Sequence, residues 1–71
     1  MTNAADAPVH QLRLYQDLLA LRPSFPSLID AIISRMQNHL WNVSEEMVVL
    51  AITSKLVSEE AKAIQSFLGI S

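Results

Sequence analysis

The sequence predicts an all-α protein, a compact bundle of three or four helices that pairs into a homodimer. Three observations carry this. Apolar residues between Phe25 and Val43 fall at helical spacing without a miss. Helix-start and helix-stop residues punctuate the chain at Pro8, Pro23, Ser44 and Gly69. And the chain is a single domain of 71 residues, 51% hydrophobic, with no cysteine. So short a domain buries a modest share of its surface and leans on disulfides, a metal or association. Without Cys there are no disulfides or thiolate metal sites, and His10 and His39 form no HxxxH or HExxH pair. Association is the remaining support, and a mean hydropathy of +0.28 agrees with it.

Residues 1 to 5 read as a disordered lead-in. Asp6 can cap a first helix that begins at Ala7-Pro8 and runs to Leu21 or Arg22, where Pro23 stops it. Ser24 then caps a second helix with Pro26 in its first turn. Its apolar residues are Phe25, Leu28, Ile29, Ile32, Ile33, Met36, Leu40 and Val43. A third start follows at NVSEE. Ser44 is a good N-cap, Glu45 and Glu46 suit the positive end of the helix dipole, and Val43 and Val48 occupy the two positions of a hydrophobic staple.

Beyond that point the reading divides. Ser58-Glu59-Glu60 looks like a further N-terminus, which would make a fourth helix. Against it, Leu50, Val57, Ala61, Ile64 and Leu68 keep one phase, which favours a single helix from about residue 45 to 68, bent or loosened near Ser58. Gly69 is the expected residue just past the end, with Ile70 packing back on the last turn.

The first and last helical regions carry apolar faces wider than one core-facing stripe, so their surplus is expected to form a dimer seam or a partner groove. The single Trp lies in RMQNHLWN. If the second helix continues through Trp41, the ring points about 140° from the apolar stripe, among Asp30, Ser34, Gln37 and Asn38. A Trp on a polar face is a candidate binding anchor. If the helix ends at Leu40 instead, Trp41 folds back onto the bundle through the turn.

Catalytic chemistry finds no support. No Ser sits in GxSxG. The only Gly is residue 69, so no phosphate-cradling loop exists and no cofactor is expected. The pairs Glu45-Glu46 and Glu59-Glu60 follow Ser residues and are explained as helix starts. Five Lys and Arg against seven Asp and Glu leave a formal net charge of −2, no basic footprint for nucleic acid. A helix-turn-helix around Val57-Ser58 would open its recognition helix with two carboxylates. MTNAADAPVHQ lacks the charged and apolar regions of a secretory signal, and no apolar run approaches the roughly 18 residues of a membrane span, so a cytoplasmic location is expected.

The stretch QLRLYQDLLALRPSFPSLIDAIISRM, with the acidic helix after it, resembles the small anti-quorum-sensing proteins that temperate phages of Pseudomonas make early in infection. The resemblance spans most of the chain in size and helical layout and contains no diagnostic motif. It implies a compact helical protein that binds a LuxR-type quorum-sensing activator and blocks its action, and that also binds the type IV pilus assembly ATPase. No binding residues are carried over from the family. The residues themselves suggest a dimer seam on the last helix at Leu50, Val57, Ile64 and Leu68. Partner contacts are expected at Leu14, Tyr15, Leu18, Arg22 and Trp41. Other readings are another phage or bacterial inhibitor, such as an anti-CRISPR or an antitoxin, and a secretion chaperone or docking module.

Overall fold

Pro8, with its backbone extended at ψ 150°, leads directly into α1 (Val9–Leu21), and its carbonyl accepts the Leu12 N–H at 2.9 Å. The structure, a computed structural model, describes residues 8–70. The lead-in of residues 1–5 and the Asp6 cap lie outside that range. Arg22 ends α1, and the turn through Pro23 closes with the Ser24 and Phe25 N–H groups on the Leu21 carbonyl. The second helix, α2 (Pro26–Asn38), starts with Pro26 at its first position, where a missing N–H costs nothing. Phe25, not Ser24, is therefore the residue before it, and no side chain caps this helix.

Ser44 caps α3 (Glu45–Lys55) as expected, its Oγ accepting the Met47 N–H at 3.2 Å. Val43 and Val48, the staple pair, are both buried. The single long helix is not what forms. α3 stops at Lys55, Leu56 and Val57 take extended ψ values of 154° and 158°, and α4 (Ser58–Leu68) starts afresh. Two extended residues redirect the axis, so continuity of apolar phase across them does not mean continuity of helix. Val57 rather than Ser58 holds the N-cap position, without a capping side chain.

At the far end, the Ile70 N–H reaches the Gln65 carbonyl at 3.0 Å and the Gly69 N–H the Ser66 carbonyl at 3.2 Å. With Gly69 at φ +72° this is a Schellman closure, and Ile70 is buried as its apolar contact.

The helices close a ring: α1 packs on α2 and α4, and α3 packs on the same two. Leu18, Ile29, Met36, Ile52 and Trp41 are the largest fully buried side chains at its centre. The radius of gyration, 11.3 Å, matches the value of about 11 Å for a closed domain of this length. The all-α bundle is thus observed, with four helices.

Candidate protein-interaction surface

The corner between α2 and α3 decides the place of Trp41. The Trp41 N–H donates to the Met36 carbonyl at 2.8 Å and the Leu40 N–H to the Gln37 carbonyl at 3.0 Å. This is the same Schellman pattern as at the end of α4, but Leu40 occupies the position Gly usually takes. Leu40 has φ +55° and Trp41 φ +59°. The left-handed conformation costs an L-residue about 1–2 kcal/mol. That cost is offset by what the turn achieves: Trp41 swings inward, is only 1% exposed, and meets the Tyr15 ring edge to face at 5.3 Å. The exposed-anchor reading of Trp41 is thereby overturned, because α2 ends at Asn38 and the helical phase no longer applies at residue 41.

A second buried link secures this corner. Gln11 on α1 donates from Nε2 to the Val43 carbonyl at 3.0 Å and accepts the Val43 N–H on Oε1 at 3.3 Å. Both backbone groups of an irregular, buried residue are satisfied by one amide. Sequence reasoning missed this clamp. Its signal is present nonetheless: Gln11 precedes Leu14 and Leu18 at helical spacing, a polar residue on the buried face.

The other expected contact residues divide. Leu14 and Leu18 are core residues, which corrects their assignment to a partner surface, and Tyr15 is half-buried against Trp41. Arg22 is exposed, its Nε 2.7 Å from Asp30 Oδ1 and its Nη2 3.5 Å from Oδ2, tying the end of α1 to α2. That bond and the adjacent negative charge raise the Arg22 pKa, holding the guanidinium in its charged form. Of the proposed seam, Ile64 and Leu68 face inward and are corrected to core. Leu50 and Val57 stand 67% and 66% exposed. The α4 stripe turns to the core because the break at Leu56-Val57 reorients it.

What the described residues do bring together is an apolar trough between α2 and α3, of about 410 Å³. Leu28, Ile32, Val43 and Val48 make its floor, and Ala31, Met47, Leu50 and Ala51 its walls. The two alanines leave the space that larger side chains would fill. Arg35, Ser54 and Lys55 complete the lining, which contains no carboxylate. Lys55 also borders Phe25–Leu28 at the start of α2, so α2 and α3 run antiparallel and the two cations lie toward opposite ends of the trough.

No family model, curated protein or solved structure matches this chain. The side chains alone bear on function. Among the described residues no group of His, Cys, Asp or Glu is arranged to hold a metal ion, and no helix is long and apolar enough to cross a membrane.

Proposed function

We propose that this chain is a non-enzymatic inhibitor that works by occupying the surface of another protein. The observation that carries the reading is the open apolar trough between α2 and α3, with Leu50 two-thirds exposed on its wall. An exposed, predominantly apolar concavity on a small domain is a feature of binding surfaces.

Two further residues point the same way. Leu40 sits, 70% exposed, where the backbone favours Gly or Asn, and Val57 sits, 66% exposed, where it favours Ser or Asp. Apolar side chains that break a local rule in full view of solvent mark functional positions. Val57, outside the trough lining, also remains available for a homodimer, whereas Ile64 and Leu68 are spent on the core.

The resemblance to phage anti-quorum-sensing proteins names the targets to try: a LuxR-type activator and the type IV pilus assembly ATPase, met in the host cytoplasm. The test is a gel-shift with purified activator on its DNA site, together with direct binding to the purified ATPase. The expected result is release of DNA by the parent protein and weaker release by Leu50→Ser. Intact activator–DNA complexes and no ATPase binding would overturn both target assignments.

A further inference from the structure

We infer that the α2–α3 trough takes one amphipathic helix of a partner protein, aliphatic on its buried face and carrying two carboxylates two turns apart that seat on Arg35 and Lys55. The inference rests on the protein-binding reading and adds the chemistry of the bound segment.

Charge is the first argument. The chain has a net charge of −2 and only five Lys and Arg. Two of the five line this one apolar trough, where no carboxylate answers them. Arg22, by contrast, is already taken by Asp30. An apolar floor with a cation toward each end is complementary to an acidic, aliphatic segment and repels a basic one.

Length is the second. Lys55 borders Leu28, and Arg35 lies seven residues further along α2, in the same lining. Lys55 shares its lining with α2 residues from Pro26 to Ala31, so at 1.5 Å per residue Arg35 lies about 6–14 Å further along the helix axis, a range centred on two helical turns. Carboxylates at i and i+7 of a docked helix, with aliphatic residues at i+3 and i+4 between them, match both cations and floor. Met47 on the wall is adaptable enough to pack against varied aliphatic side chains.

A second copy of this chain fits less well. Its described helices carry Asp17 on α1, Asp30 on α2, the adjacent pair Glu45-Glu46 on α3 and the adjacent pair Glu59-Glu60 on α4. None offers carboxylates two turns apart.

The test uses two synthetic helical peptides with the same leucine stripe, one with Glu and one with Lys at positions two turns apart. Fluorescence anisotropy is read against the parent, Leu50→Ser and the double variant Arg35→Glu/Lys55→Glu, each checked for helicity by circular dichroism. All three positions are exposed, so the fold is expected to survive. The Glu peptide is expected to bind the parent about tenfold more tightly than the Lys peptide. Leu50→Ser should weaken it, and the double variant should reverse the preference. Equal affinities, no binding, or a preference that survives the charge reversal would overturn the inference. So would a dimer in sedimentation that Leu50→Ser dissociates, since a second copy would then fill the trough. If the peptides fail while the activator or the ATPase still binds, the protein-binding reading stands and the trough does not. If all of them fail, both are lost.

Discussion

The ring of Tyr15 meets the ring of Trp41 edge to face, with centroids 5.3 Å apart and planes 80° to one another. This contact couples α1 to the α2–α3 turn, in which residues 40 and 41 are both left-handed. Truncating a buried Trp costs about 3–5 kcal/mol, against a total stability of about 4–11 kcal/mol for a chain of this length. Trp41→Ala is therefore expected to remove a large share of the stability, seen as a much lower urea midpoint of the helical circular dichroism. Tyr15→Leu, which keeps apolar volume and loses the ring pair, should cost about 0.5–1.5 kcal/mol. Urea unfolding followed by Trp41 emission measures that loss. A fully stable Trp41→Ala protein would contradict the core placement.

Leu40 and Gly69 hold the same position in two closures of the same kind, and substitution should move their stabilities in opposite directions. Leu40→Gly removes the left-handed penalty and is expected to stabilise by about 0.5–1 kcal/mol after the added flexibility of the unfolded chain is deducted. Gly69→Ala meets nothing within 4 Å, so its cost is purely conformational, about 1 kcal/mol. Urea midpoints at constant slope check both. If Leu40→Gly also abolishes target release, the exposed leucine serves binding at the expense of local stability.

Val57 occupies an N-cap position with extended backbone and no capping side chain. Val57→Ser should supply the missing acceptor to the first turn of α4 and stabilise by about 1 kcal/mol. Thermal unfolding reads the change. No increase in midpoint would mean that the Leu56-Val57 break is looser in solution than the two extended residues imply.

Gln11→Leu fits the apolar surroundings but leaves both backbone groups of Val43 buried without partners. The expected loss is about 1–3 kcal/mol, accompanied by faster hydrogen exchange at the Val43 amide. Unchanged exchange there would show that the clamp contributes nothing to holding the corner.

The parts of this fold that could be read from the residues are those set by short-range chemistry. Ser44 before two Glu, Val43 and Val48 around it, and Gly69 before Ile70 each specify a helix end within one turn of chain. Three features were not settled by the residues, each for a physical reason. The α3–α4 break rests on two apolar residues, Leu56 and Val57, that carry no turn chemistry, and the apolar phase continues across it. The residues leave Trp41 between an exposed and an inward-folding reading, because Leu40 and Trp41 adopt a left-handed conformation that neither side chain favours. The expected contact residues were drawn from apolar width alone, which cannot separate an inward leucine such as Leu18 from an outward one such as Leu50. The trough escaped because it depends on Ala31 and Ala51, notable for what they leave unfilled.

The Gln11–Val43 clamp joins residues 32 apart in the chain, whereas each closure at a helix end joins residues within one turn of each other. Helices and their ends can form within microseconds, but this clamp must wait until α1, α2 and the corner after them have been brought together. A contact of this separation is expected to close late in folding. Weakening a late contact leaves the rate of folding nearly unchanged and shortens the lifetime of the folded state. For a small protein with no disulfide to hold it closed, Gln11→Leu is expected to shorten the lifetime of the folded state more than it slows folding, as unfolding rates in urea would show.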